Sequence, residues 1–341
     1  MDKIDINIEE TYKQESDGLQ NSYLKLKIFG KTVGPALINT LRRLCYDHVP
    51  TYAFPNENIV IEKNTSIYSN DYMKERISTI TIPKILNSIY YLEDQYWLNI
   101  NVGDPARLKH PEDKKIMDFY INGSNNTKDI MNVTTENCKI YEDGVELKDK
   151  FDSKYPCLIV DLRPDEVFSC KCTAVLGIGK MHAIWYAAGN VFYDTKDEKE
   201  YDFTLESQGQ IDEYEILHKA CRIMKEKVNY TKRLIKEQHT DVNTSKSEII
   251  LYNEDHTLGG IINDQLQNHK NVEFSGLSKP SLLKDRMVIK FITKNNKPIE
   301  TFMETLDHII SIFDHIQEQI EGIGSNFITY EKISKKKNSK K

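Results

Sequence analysis

Hydrophobic and polar positions along the chain set out two similar series of elements. In Tyr23–Phe29, Leu24, Leu26 and Ile28 share one face and Lys25 and Lys27 the other, the pattern of a half-buried strand. Gly30 ends it. Thr32 is placed to cap a helix, and Pro35 falls in the first turn, where a missing N–H costs little. Leu37, Leu41, Leu44 and Cys45 recur at helical spacing until Pro50, leaving Asn39, Arg42, Arg43 and Tyr46 off the apolar stripe. A short strand over Ile59–Glu62, a turn at Asn64-Thr65-Ser66 and a short helix over Asp71–Ile77 follow, with Met73 and Ile77 inward and Arg76 free. Residues 84–160 have weak periodicity and predict short strands and loops. Val167–Ile178 and Asp202–Glu206 read as strands.

Two long helices carry the clearest signal. Over Glu213–Gln238, Leu217, Cys221, Met224, Val228, Thr231 and Ile235 step alternately by four and three. From Pro298 to about Glu321, Ile299, Phe302, Leu306, Ile309, Phe313, Ile316 and Ile320 do the same, a seam of three heptads. Before the second seam come a polar linker (Thr240–Ser247), a strand (Glu248–Tyr252), a helix to about His269 capped by Asp255 or Thr257, and a strand over Met287–Ile292. Each half thus reads strand, short helix, further strand, long helix. The first half carries a large insertion, roughly 52–193. A buried Leu or Phe of such a seam contributes about 1.5–3 kcal/mol, so two seams in one chain predict a substantial mutual interface.

Composition sharpens this outline. The 341 residues, 39% hydrophobic and 29% charged, suffice for two or three cores without a metal or disulfide staple. No apolar run reaches the length of a membrane helix, and Met1–Asp5 lacks a signal core, so neither a membrane nor secretion is expected. The net charge of −6 is uneven. Glu331–Lys341 carries +5, which leaves −11 on the rest. An acidic body argues against a large nucleic-acid footprint, and the basic tail reads as a solvated segment. Six cysteines form no CxxC pair, so reduced thiols and no structural zinc are expected. Cys170 and Cys172 share one strand face.

Catalytic signatures are sparse. Gly177-Ile178-Gly179-Lys180 resembles the end of a phosphate loop, but Ala174 fills the earlier glycine slot and Met181 follows the lysine. Glu254-Asp255-His256 reads as the acidic start of a helix more readily than as a chelate or acid–base set. Arg42-Arg43 fits either a solvated surface or a docking patch for an acidic or carbonyl-rich partner.

The run Gly34-Pro35-Ala36-Leu37-Ile38-Asn39-Thr40-Leu41-Arg42-Arg43-Leu44, ending in Asp47-His48-Val49-Pro50-Thr51, resembles the signature of the α-like subunits of cellular RNA polymerases. Ile61–Ser66, Glu75-Arg76-Ile77 with Ile82-Pro83, Gly177–Trp185 and Phe203–Gly209 resemble, in order, further elements of the third-largest subunit of the eukaryotic enzyme. Asn253–Gly260, Asn271–Gly276 and Lys279-Pro280 resemble the eleventh, smaller α-like subunit. The chain therefore resembles a fusion of the two, an arrangement associated with large cytoplasmic DNA viruses. It departs from the family in lacking the four-cysteine zinc loop and in carrying Gly260 where Asn is usual.

The resemblance implies an α+β fold of two α-like dimerisation domains, paired through their long helices as an intramolecular pseudo-dimer, with a β-rich insertion domain. The implied boundaries are 1–51 with 194–239, insertion 52–193, linker 240–247, second domain 248–325 and tail 326–341. It implies a non-catalytic assembly platform in a DNA-directed RNA polymerase, a nucleotidyltransferase complex, with no cofactor and no metal. Expected partners are the two large subunits and small zinc-binding subunits in a heteromeric complex that reaches DNA and RNA only indirectly. The expected location is intracellular, a viral factory in the host cytoplasm, with packaging in the virion and a nuclear location left open. Carried over by motif, Asn39, Arg42, Arg43, Asn64, Thr65, Ser66 and Arg76 dock a large subunit. Gly177, Gly179, Lys180, His182 and Trp185 form an insertion-domain contact. Leu217, Met224, Val228, Leu306, Ile309, Phe313 and Ile316 pair the α-like domains. The alternatives are a free-standing coiled-coil scaffold or homodimer, and an enzyme with its site in the insertion.

Overall fold

The computed structural model describes residues 3–16, 21–82, 97, 116–148, 151, 154–238, 245–281, 283 and 286–324. The linker up to residue 244, the basic tail and most of 84–115 lie outside the described residues.

The first half builds a four-stranded antiparallel sheet from β1 (Asn7–Gln14), β2 (Tyr23–Phe29), β11 (Ala188–Asp197) and β12 (Glu200–Ser207), in the order β1-β2-β12-β11. Its inner face holds Leu24, Leu26, Ile28, Phe203 and Leu205, all buried, as the alternation predicts. Gly30 ends β2 at a φ of +137°, and a Cβ there would lie 2.2 Å from the Asp5 carbonyl oxygen, so no side chain fits. α1 (Pro35–Arg43) follows with Pro35 in its first turn. Its N-cap is Gly34, which offers no side-chain cap. Thr32, expected to cap the helix, instead accepts the Asp5 backbone N–H at 2.9 Å and ties the N-terminal segment down. The helix passes into one π-helical turn over Leu44–His48, which keeps Leu44 and Cys45 buried. The half closes with α3 (Glu213–Gln238).

Between them lies the insertion: β3 (Thr51–Ala53), β4 (Ile59–Asn64), α2 (Asn70–Ser78), β5 (Met117–Ser124), β6 (Met131–Thr134), β7 (Cys138–Glu142), β8 (Val145–Leu147), β9 (Leu158–Leu162) and β10 (Val167–Gly177). β10 is the spine, with β3 and β4 on one side and β5, β7 and β8 on the other, while β6 and β9 pair separately. Cys170 and Cys172 are buried on one face with sulfurs 3.9 Å apart, and their mutual contact and burial push the Cys172 thiol far up. Here the boundary expected at 193/194 needs correcting: it falls inside β11, which is registered along its length with β12. β11 belongs to the first sheet, so the chain leaves the insertion before Ala188.

The second half is a three-stranded sheet, ordered β13-β15-β14, from β13 (Lys246–Tyr252), β14 (Val272–Ser278) and β15 (Arg286–Thr293), with α4 (His256–Gln267) and α5 (Pro298–Ile323). β13 begins inside the expected linker, because Lys246 and Ser247 already register with Ile292 and Phe291.

The buried residues fall into two clusters. One runs without a break from Ile6 and Leu24 through Leu217, Met224 and Val228 to Leu306, Ile309, Phe313 and Ile316, so the two halves share a single core along α3 and α5. The other, around Phe119, Phe168, Cys170 and Cys172, belongs to the insertion. Burial of one side chain in the shared core contributes about 1.5–3 kcal/mol.

A candidate subunit-docking surface

α1 ends where three parts of the chain meet. Its off-stripe residues lie at the surface and are half-buried. Asn39 Oδ1 accepts Arg42 Nε and Nη2 at 3.1 and 3.0 Å, which aligns that guanidinium along the helix. Arg43 turns the other way. Its Nη2 donates to Asp255 Oδ2 at 2.8 Å, with Asp47 Oδ2 3.7 Å from its Nε. Asp255 is the N-cap of α4 and accepts the Thr257 N–H at 2.7 Å through Oδ1. Burial works to raise its carboxyl, but the Thr257 hydrogen bonds and the Arg43 and Lys180 charges outweigh it and hold the group well below the usual carboxylate range. Burial pushes the Asp47 carboxyl up, against the pull of Arg43. Thr40 adds a second tie between the halves, its hydroxyl donating to the Thr257 carbonyl at 3.1 Å.

The Gly177–Trp185 stretch folds back onto this place. Lys180 N–H donates to the Asp47 carbonyl at 2.8 Å, and the Tyr46 and Tyr186 rings meet with centroids 4.2 Å apart. Gly179 sits between them: a Cβ there would lie 2.2 Å from the Tyr186 ring and 2.7 Å from the Tyr46 carbonyl oxygen. A Cβ on Gly177 would likewise lie 2.5 Å from the Trp185 indole. Trp185 is buried, donates through Nε1 to Val175 O at 2.9 Å, and its carbonyl accepts the Thr51 hydroxyl at 2.8 Å. His182 caps the short turn Ala183–Trp185. Gly177, Gly179 and Trp185 therefore shape the loop from within, while Lys180 and His182 lie on its surface, Lys180 against the turn that follows α1.

The remaining docking candidates lie apart, on the insertion. Asn64 Oδ1 accepts the Ser66 N–H at 3.0 Å and the Ser66 hydroxyl at 2.7 Å, and its amide donates to Tyr68 O at 2.9 Å. Thr65 pairs with Val167 through its backbone N–H and its hydroxyl. Arg76 is not free: Nη2 donates to Leu158 O at 3.1 Å and Nη1 to the Tyr72 hydroxyl at 3.4 Å.

Two cross-links between the halves escaped the sequence reading. Lys227, buried in α3, reaches Glu254 at 3.0 Å, and Arg43 reaches Asp255. Glu254-Asp255 was legible as a helix start, but nothing local marks its partners, one on the preceding long helix and the other more than 200 positions away on α1. Among the described residues no group of three or more His, Cys, Asp or Glu is placed to hold a metal ion, and no helix is long and apolar enough to cross a membrane.

Comparison with known proteins accords with this geometry. The family model described as the RNA polymerase Rpb3/Rpb11 dimerisation domain matches residues 27–228, and a second model of the same description matches 246–319. A chain of Acanthamoeba polyphaga mimivirus, which carries the name of a DNA-directed RNA polymerase subunit, is 26% identical over 88% of this chain and 91% of its own length. Subunit Rpo3 of Methanocaldococcus jannaschii is 23% identical over 59% of this chain and 85% of its own. Subunit Rpo11 of Saccharolobus solfataricus is 27% identical over 22% of this chain and 84% of its own. The mimivirus match extends over most of both chains. The chain belongs to the Rpb3/Rpb11 dimerisation-domain family and is an RNA polymerase subunit of that type, with both kinds of domain in one polypeptide.

Proposed function

We propose that this chain is the assembly platform of a multisubunit DNA-directed RNA polymerase. Its two α-like domains pair within one molecule as a pseudo-dimer, and the pair holds the two large catalytic subunits. The observation that carries this is the single core running from the first sheet through both long helices into the second half, in a chain with both family matches. Residues 1–51 with about 188–239 form the first domain and 248–325 the second, extended back to Lys246, with the insertion between. The surface around Asn39, Arg42 and Arg43 docks a large subunit, with Lys180 and His182 beside it. Support comes from the half-buried outer face of α1, where the Arg42 guanidinium is held by Asn39. Small zinc-binding polymerase subunits join on the insertion side. The complex works in a viral factory of the host cytoplasm.

Affinity purification of the tagged chain from its natural host cells at moderate salt tests this reading. Two large chains, small zinc-binding chains and DNA-templated RNA synthesis in the eluate are expected, with the large chains lost from an Arg42→Glu, Arg43→Glu variant. Recovery of the wild-type chain alone overturns it.

A further inference from the structure

Five side-chain contacts between a basic and an acidic residue join the halves among the described residues, four of them Lys or Arg ion pairs and one a histidine–carboxylate contact, and in each the base stands in the first half and the acid in the second. Arg43 meets Asp255, Lys227 meets Glu254, His218 meets Glu321, Lys225 meets Asp314 and Lys232 meets Asp307. The last three form a ladder along the paired helices. His218, Lys225 and Lys232 follow each other at seven-residue intervals on α3, and Glu321, Asp314 and Asp307 answer at the same interval in the reverse direction on α5. Such spacing keeps all three bases on one flank of the seam, and the reversed numbering fixes an antiparallel register. Gln317 stitches two rungs, accepting Lys225 Nζ at 2.7 Å and donating to Glu321 Oε1 at 3.0 Å.

Apolar seams alone choose partners poorly. Leu, Ile, Met and Phe on α3 and α5 would also pack against the same helix of a second copy. The flanks decide otherwise. In a two-fold pairing of α3 with a second α3, Lys225 lies opposite Lys225 and Lys232 opposite His218. In a pairing of α5 with α5, Asp314 lies opposite Asp314 and Asp307 opposite Glu321. Both arrangements set like charges together at the central rung, Lys225 on Lys225 or Asp314 on Asp314, which the observed pairing fills with opposite ones.

We propose that this one-way polarity, basic on the first long helix and acidic on the second, is a recognition code by which the first α-like domain selects an acidic partner helix and refuses a second copy of itself. The partner surface it fits is an antiparallel long helix with carboxylates at seven-residue spacing, here supplied by the chain's own second half. The inference rests on the reading of the halves as paired α-like domains.

The test uses the full chain with a protease site inserted between Gln238 and Ser245 and cut after folding. A four-fold variant, Lys225→Glu, Lys232→Glu, Asp307→Lys and Asp314→Lys, reverses both sides of two rungs and keeps them complementary. Cut wild-type protein, isotope-labelled, is unfolded and refolded with the cut variant, and the pairs are counted by native mass spectrometry. Pairs of complementary charge exceed crossed pairs by about tenfold, and neither half pairs with its own kind. An equal mixture of complementary and crossed pairs overturns the code while leaving the pairing intact. Wild-type halves that separate on cutting overturn the paired-domain reading itself. In the uncut chain, Lys225→Glu lowers the melting temperature and adding Asp314→Lys returns it. No recovery in the double variant overturns the code independently of refolding.

Discussion

Gly179 shows how little room the Gly177–Trp185 loop leaves. A methyl group there would enter the Tyr186 ring and the Tyr46 carbonyl, one of which is backbone, so the loop must shift off the end of α1. Gly179→Ala is expected to destabilise the protein by about 1–3 kcal/mol, as overpacking does. Gly260→Ala is the control: that glycine lies inside α4 with nothing within 4 Å of a built Cβ, and gains about 0.5–1 kcal/mol of helix stability. Urea midpoints of the two variants read both signs. The Asn64 turn has a twin. Asn125 accepts the Thr127 N–H at 2.9 Å and hydroxyl at 2.7 Å and donates to Asp129 O at 2.8 Å, the bonds of Asn64 repeated at the same offsets. The two turns brace the start of β10 from either side, Thr65 on Val167 and Asn125 on Glu166. Asn-x-Ser/Thr is here a backbone clasp. Asn125→Ala, which unmakes the hydrogen bonds of a fully buried amide, is expected to cost about 2–3 kcal/mol by denaturant titration, with the damage confined to the insertion.

Two buried histidines set a pH dependence. Burial lowers the His218 and His269 pKa below the usual 6.5, outweighing the Glu321 and Glu304 carboxylates beside them. His269 Nδ1 also accepts the Asn271 N–H at 3.2 Å, a bond that only the neutral ring makes. The unfolded chain therefore binds protons first. Stability contributed by these groups is full above about pH 7 and falls as pH drops through 6.5 toward the lower folded values. Urea midpoints between pH 7.5 and 5.5 check this, and His218→Gln is expected to flatten the slope.

At the scale of elements, α5 is held on two sides by the first half. α3 runs along one side. On the other lies β1, an edge strand whose open backbone groups are met by side chains of α5: Gln319 accepts the Ile8 N–H and donates to Ile6 O, both at 2.7 Å, and His315 donates to Ile6 O at 3.0 Å. The start of that edge is thereby covered. The buried Lys227–Glu254 pair pins the start of α4 to α3. Lys227→Ala leaves a carboxylate nine-tenths buried and is expected to cost about 3–5 kcal/mol, whereas Lys227→Met with Glu254→Leu is expected to be close to neutral. Thermal melts of the single and double variants separate the two outcomes.

Much of this was legible locally. The seams of α3 and α5, the strands β2, β10 and β15 and the short helices α1, α2 and α4 follow from periodicities of two and 3.6, because one face of each is buried. β1 and β11 were not legible. β1 reads NIEETYKQ, with Ile8 its one fully buried residue, and β11 has Phe192 and most of its later residues exposed. Edge strands held by backbone pairing leave little hydrophobic trace. The π turn after α1 was likewise silent, since it leaves the apolar stripe in place. Of the docking candidates, α1 and the Gly177–Trp185 loop were legible through resemblance. Their meeting at Asp47 and Asp255 was not, because it depends on contacts from three distant segments.

On the scale of the whole molecule, the shared core and the separate core of the insertion describe two bodies of different kinds. The first is built from both ends of the chain and needs both, whereas the second is closed by its own strands. Joining the halves in one polypeptide makes their association a first-order event. Tethered partners meet at an effective concentration in the millimolar range, so pairing does not depend on how much protein is present. The polarity of the ladder then works against exchange with other copies, which a tether alone does not prevent. Folding and partner choice thus rest on the same surface.

The most direct check on intramolecular pairing is the native mass of the isolated full chain by sedimentation equilibrium across a hundredfold range of concentration. The account predicts a monomer of 39.7 kDa at every concentration, its α-like pair complete within one molecule. A species of twice that mass, growing with concentration, would mean that the long helices find their partners in a second copy and would contradict it.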